Sequence, residues 1–295
     1  MMREPGALGN RSRKLFVYAL LILATIIALF PIYWIFLTSI KTPMEVTSGV
    51  PKFFNFQPTL ENYAIVLGLS TGGGRVSGAG SGHVAFLTYF KNTLIIVPSA
   101  VLLSLLLGLP VAYAMARYRF KLRENLYFFF LSLYFMPAAL ILIPLYLVYQ
   151  RLGLYNTRLG LVLILQLINL PLVVLIMRSF FEDISAEIEQ SAMVDGSSRL
   201  RAFVKITFPL ALPGLMSTLF LSTIFSWNNF MFGVILATTK TQPVTVGILA
   251  YKSYEAILWG QMAAASLITA VPVLILAILI QRYIVQGLSL GAVKG

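Results

Sequence analysis

The sequence predicts an all-α membrane protein with six transmembrane helices, and three observations carry that prediction. The 295-residue chain is 59% hydrophobic and only 11% charged, far from the balance of a soluble domain. Its loops separate six charge-free runs: Leu15–Ile40, Asn92–Ala116, Asn125–Gln150, Leu159–Met177, Ile206–Thr239 and Ala256–Gln281. Each reaches or approaches the roughly 20 residues that a helix needs to cross the hydrocarbon core. With the N-terminus inside, 14 of the 22 Lys and Arg residues fall on the cytoplasmic side, among them the cluster Arg117, Arg119, Lys121 and Arg123. That bias follows the positive-inside rule and places both termini in the cytoplasm.

Taken in order, residues 1–14 form a basic cytoplasmic tail, and Leu15–Ile40 reads as an uncleaved anchor, too long for a signal sequence and lacking a small-residue cleavage site. Residues 15–286 form one membrane domain and 287–295 a second cytoplasmic tail. Pro31 is expected to bend the outer half of span 1. The outside segment Lys41–Lys91 is broken by Pro43, Pro51 and Pro58, and carries a glycine-rich stretch, Thr71–Gly82. No Lys-Ser or Lys-Thr follows that stretch, so it reads as a loop tip and not as a phosphate cradle. Span 2 ends at the basic turn Arg117–Glu124. Span 3 is expected to be interrupted at Pro137 and Pro144, and span 4 carries Gln166, Asn169 and Pro171. The run after Lys205 is 34 residues, longer than one span, with Pro209 and Pro213-Gly214 expected to bend its inner end.

Between spans 4 and 5 lies a polar island, Phe181–Pro213. It holds Glu182, Asp183, Glu187, Glu189 and Asp195, five of the ten acidic residues in the chain. The pattern predicts two short helices: one capped near Ser185 and stopped at Gly196, a second capped by Ser197 or Ser198. Both are too short and too charged to span a bilayer, which suits a docking surface. Gly196 is expected to take a positive φ. Leu200, Phe203 and Val204 are expected to pack back on the membrane domain.

Several chemistries are excluded. The net charge of +12 is accounted for by topology, and nucleic acid is not an expected partner. There is no cysteine, and His83 is the only histidine, so neither a metal site nor a catalytic cluster is expected. No Asp, Glu, Lys, Arg or His lies within the six runs, against an ion-coupled carrier. No Walker A sequence is present, so ATP cannot be hydrolysed here by that route.

The island also carries a motif. Gln190-Ser191-Ala192, three residues, Gly196, nine residues and Ile206-Thr207-Phe208-Pro209 resemble the E-A-A-x3-G-x9-I-x-L-P loop of binding-protein-dependent ABC importer membrane subunits. Glu→Gln, Ala→Ser and Leu→Phe are the departures, and Asp195 matches the residue usual before the glycine. The resemblance implies a type I ABC importer permease fold with cytoplasmic coupling helices, in which loop 181–208 meets the ATPase through Glu189, Gln190, Ser191, Ala192, Asp195, Gly196, Ile206 and Pro209. It further implies a bacterial inner-membrane complex: a second homologous permease, two ATPase subunits that bind ATP and Mg, and an extracytoplasmic binding protein. No cofactor is expected in this chain.

Ser226-Trp227-Asn228-Asn229 and the tail Gln286–Gly295 are similar to features of the carbohydrate branch, of the maltose-type second permease subunit in particular. A sugar substrate is implied, an oligosaccharide or disaccharide, with a glycerol-phosphate-type solute as the alternative. Gln166 and Asn169, one turn apart in span 4, and Trp227, Asn228 and Asn229 are the candidates for the substrate path, because amides and rings suit sugar hydroxyls and apolar sugar faces. The same amides also suit interhelical hydrogen bonds. From other classes, an ATP-independent channel or structural membrane subunit stays open, and a membrane-embedded enzyme is disfavoured by the lack of an ionisable cluster.

Overall fold

A computed structural model describes residues 7–70, 86–252 and 257–291, with side chains placed for 13–70, 86–252 and 257–283. The glycine-rich Thr71–Gly82, His83 and the last four residues of the C-terminal tail lie outside the described residues. Among the described residues the chain is helical and has no β-strand. Four helices are long and apolar enough to cross a membrane, over Arg13–Ser39, Phe86–Arg117, Arg158–Asp183 and Trp259–Tyr283. Two bent helix pairs, each counted as one span, raise the number to six.

The chain divides into two compact units. The first comprises Met1–Val84 and Tyr251–Ile268. Its helix α1, Ala7–Ser39, begins inside the predicted tail and continues through Pro31, so residues 7–14 of the tail and the span are one helix. From Leu15 to Pro31 its side chains are exposed, and burial begins only at Leu37 and Ser39. There α2, Pro43–Thr47, and α3, Glu61–Val66, close over the end of α1. Asn62 donates to the carbonyls of Ser39 (3.0 Å) and Lys41 (2.9 Å), giving acceptors at a helix end the partners they lack within the helix.

The second unit comprises Ala85–Ala250 and Thr269–Gly295. Its axis is α4, Phe86–Arg117, which holds Pro98 and Pro110 without breaking. Then α5, Arg123–Phe135, meets α6, Ala138–Arg151, at 94°. Pro137 makes that break: Met136 before it is extended, as a residue preceding proline prefers. Pro144, expected to interrupt the span too, sits inside α6 without ending it. Next come α7, Arg158–Ile164, and α8, Gln166–Asp183. Helix α8 packs along α4. Gly108 permits the approach, since a Cβ there would meet Val173 at 2.6 Å.

The island supplies α9, Ala186–Val194, and α10, Arg199–Ala202, followed by a π turn at Phe203–Thr207 and α11, Phe208–Leu210. Ala211 breaks the path, and the helix turns by 71° into α12, Leu212–Trp227, with Pro209 and Pro213 each in a first helical turn. The long apolar run is therefore divided among α11, α12 and a short α13, Met231–Leu236. After α14, Val244–Leu249, the last helix α15, Trp259–Gly291, takes in the first residues of the predicted tail.

Candidate functional site

The first helix of the island is closed at both ends by the residues its sequence suggested. Ser185 caps α9 by accepting from the Glu187 N–H at 3.2 Å. At the other end the Gly196 N–H donates to Met193 O (3.1 Å) and the Ser197 N–H to Ala192 O (3.0 Å). These two bonds are the Schellman pair, and they need a left-handed residue between them. Gly196 provides it with φ +89°, and open space surrounds the position where a Cβ would sit. Backbone conformation, not crowding, therefore restricts this position. Ser198, not Ser197, caps α10, accepting from Arg201 N–H at 3.4 Å.

One side chain fastens this loop to the membrane domain. Glu189 is 5% exposed and faces inward, whereas Gln190, Ser191, Asp195, Gly196 and Pro209 are exposed and Ala192 and Ile206 half-buried. One carboxylate oxygen accepts from the Tyr113 hydroxyl of α4. The other accepts from Arg117 Nε (3.2 Å), also on α4, and from Thr207 Oγ1 (3.2 Å) of the π turn. Three donors from two elements converge on one buried carboxylate, which satisfies a charge that would otherwise be costly to desolvate. Tyr113 also contacts Phe203 and Phe181, with ring centroids at 4.5 and 5.7 Å.

Phe203 therefore packs inward as expected, but Leu200 (74% exposed) and Val204 (54%) do not. Val204 follows the inward Phe203 by one residue, about 100° around the helix, and Leu200 lies in the single turn of α10 that precedes the π turn. Together with Ile188 and Val194 they leave exposed apolar side chains on the same loop as Arg199 and Arg201. A second ionic cluster braces the approach to the loop: Glu182 meets Arg123 at 2.6 Å and Arg178 at 2.9 Å, and Arg178 lies over the Tyr127 ring.

The amide candidates are divided by the fold. Asn169 is fully buried, and its amide exchanges hydrogen bonds with Ser226 on α12 (Nδ2 to Oγ 2.7 Å, Oγ to Oδ1 3.1 Å). Trp227 is packed in the core beside Val97, Val101 and Leu215. In this structure both serve the helix interface, because each is enclosed by its neighbours. Gln166 donates to Ala100 O (3.0 Å) and Val162 O (2.9 Å), while its buried Oε1 has no partner. Asn229 accepts from Phe232 N–H at 3.2 Å. Asn228 is exposed, with its amide on Ile224 O of its own helix.

Tyr113, Arg117 and Thr207 are site residues that the sequence pattern did not single out. Tyr113 and Arg117 are one helical turn apart at the end of an apolar run, a spacing that puts a phenol and a guanidinium on one face. Arg117 was legible only as a topological charge. Thr207 fell within the motif at a position that the pattern leaves free.

Residues 104–290 match the family described as binding-protein-dependent transport system inner membrane component. The chain belongs to this family. The permease is also 34% identical to the trehalose/maltose transport system permease protein MalG of Thermococcus litoralis, over 93% of this chain and 94% of that protein. It is 32% identical to the diacetylchitobiose uptake system permease protein DasC of Streptomyces coelicolor, over 90% and 92% of the two chains. A chain from the crystal structure of a bacterial ABC transporter involved in alginate import shares the permease's fold, with a TM-score of 0.74 at 24% identity, covering 96% of this chain and 100% of that one. The fold is that of a type I importer permease.

Proposed function

We propose that this permease is the non-catalytic transmembrane subunit of an ATP-driven importer that moves an oligosaccharide or disaccharide across the bacterial inner membrane by alternating access. The observation that carries the reading is the loop of α9 and α10, anchored on α4 by Glu189 and presenting its motif residues outward. Such a loop can be pushed by a partner and can move α4 with it. With both termini cytoplasmic, the loop faces the compartment that supplies ATP.

The motor is then two ATPase subunits that hold ATP and Mg, and a second homologous permease and an extracytoplasmic binding protein complete the complex. Gln190, Ser191, Ala192, Asp195 and Gly196 form the docking edge, with Ile206 and Pro209 at its hinge. Nucleotide-driven closure must favour one state through differential contacts with this edge, or ATP could bias nothing. The relatives' printed substrates, trehalose, maltose and diacetylchitobiose, support a sugar. Asn228 and Gln166 are the amides best placed for the substrate path, the first by its exposure and the second by its unpaired carbonyl; Asn169 and Trp227 hold the wall behind them.

Purification in mild detergent with identification of partners tests this. Recovery of an ATPase and a second permease, with hydrolysis stimulated by sugar-loaded binding protein, is the expected result. A lone homo-oligomer that conducts sugar without ATP contradicts it.

A further inference from the structure

Within the first unit lies a cavity of about 510 Å³, lined by Trp34, Ile35, Lys41, Lys52, Trp259 and Met262 among others. Its size is that of a small-molecule site. The most unusual group in its wall is Lys41, only 3% exposed. Its ammonium donates to Lys52 O and lies 4.9 Å from the Trp34 ring and 5.0 Å from the Phe56 ring. An ammonium has three donors, and one conventional acceptor leaves it short. Among the described residues no carboxylate comes within 4.0 Å of it.

Glu45 also lines the cavity, but its oxygens accept from Thr42 N–H (3.2 Å), Thr42 Oγ1 (3.0 Å) and Gln57 N–H (3.0 Å). Its oxygens are held by the loop, and it acts on Lys41 through its field without forming an ion pair within 4.0 Å. A buried cation without an ion pair is costly, and an anion in the cavity would offset that cost. The cavity's hydroxyls have committed their donors, Thr38 Oγ1 to Trp34 O and Ser266 Oγ to Met262 O, and can only accept.

Geometry then selects the anion. The cavity sits where α1 ends and α15 begins, both of them membrane spans. Trp34 and Trp259 near those ends are the aromatic residues that mark a membrane interface. Its remaining wall is apolar, with Ile35, Val46, Val50, Met262 and Ala263. An ammonium beside an apolar wall at headgroup depth matches a phosphate attached to acyl chains. We propose that this cavity binds a membrane phospholipid, its phosphate on Lys41 and its chains along the Ile35 and Met262 side. Burial pushes the Lys41 ammonium below its ordinary range, and the field of the nearby Glu45 carboxylate offsets this only in part.

The test uses the intact transporter, purified in a neutral detergent and depleted of lipid. A short-chain phosphatidylglycerol is expected to raise its melting temperature saturably, and inorganic phosphate is not. Lys41→Met should weaken that binding about tenfold or more, as loss of one charge-assisted hydrogen bond predicts. Met262→Trp, which narrows the apolar side and leaves Lys41 intact, should weaken it independently and serves if Lys41→Met fails to fold. Equal responses of wild type and both variants overturn the site. A response to inorganic phosphate as strong as to the lipid overturns the lipid as its occupant.

Discussion

Two buried polar clusters in this permease invite comparison. Around Glu189 a carboxylate gathers a phenol, a guanidinium and a hydroxyl from α4 and the π turn. Around Asn169 a neutral amide and the Ser226 hydroxyl satisfy each other between α8 and α12. Each ties together elements distant in sequence, yet they act differently. The amide pair closes on itself and turns nothing outward. The carboxylate holds only one side of α9, so the other side stays free to meet a partner. Glu189 thus faces inward while Gln190 and Ser191 of the same nine-residue helix are exposed.

The largest effect is expected from breaking the ionic cluster. Glu189→Leu leaves the half-buried Arg117 and Tyr113 without their acceptor, a loss of about 3 kcal/mol, the low end for one-sided removal of a buried pair. Its neighbour Gln190, exposed on the same helix, should tolerate leucine with a change within about 0.5 kcal/mol. Thermal unfolding in detergent separates the two, and equal losses would mean that α9 has no inward face.

A smaller local cost follows at Gly196. Valine at φ +89° carries about 1–3 kcal/mol of strain, confined to the Schellman turn. Limited proteolysis should detect a loosened loop while the spans still assemble.

The amide pair should be weaker again. A double-mutant cycle with Asn169→Leu and Ser226→Ala should give a coupling of about 0.6 kcal/mol, typical of hydrogen bonds between membrane helices. No coupling would detach the pair from α8–α12 packing. Smallest in stability, but not in function, is Asn228→Leu. Its amide bonds only its own helix, so assembly and ATPase activity should persist within about 0.5 kcal/mol of stability, whereas sugar uptake falls. Unchanged uptake removes Asn228 from the substrate path.

The ionic cluster and the amide pair also mark the boundary of what was legible in the sequence. Charge-free runs revealed the spans because desolvation keeps charge out of them, and the Ser185 cap and the Gly196 turn were readable because both are local chemistry. The inward face of Glu189 was not. On a nine-residue helix with acidic residues at 187 and 189, the pattern is too short to say which side is buried, and two of its three donors lie 72 and 76 residues away. Long-range amide bonds were equally hidden. Asn92 joins Arg158 to the carbonyls of Lys240 and Gln242, yet by sequence it is only the first residue of an apolar run. Pro137 and Pro144 differ for a similar reason. Proline marks where a break can occur, and the surrounding packing decides whether it does.

If the turn closing α9 transmits work from an ATPase, its backbone conformation must matter to transport. Substrate-stimulated ATP hydrolysis and sugar uptake should be measured in vesicles for wild type, Gly196→Val and Gly196→Asn. Open space around Gly196 means that only its φ is at stake, and asparagine tolerates a left-handed φ where valine does not. Gly196→Asn should therefore keep hydrolysis coupled to uptake, while Gly196→Val assembles but loses both stimulation and transport. Full coupling in Gly196→Val would contradict the account.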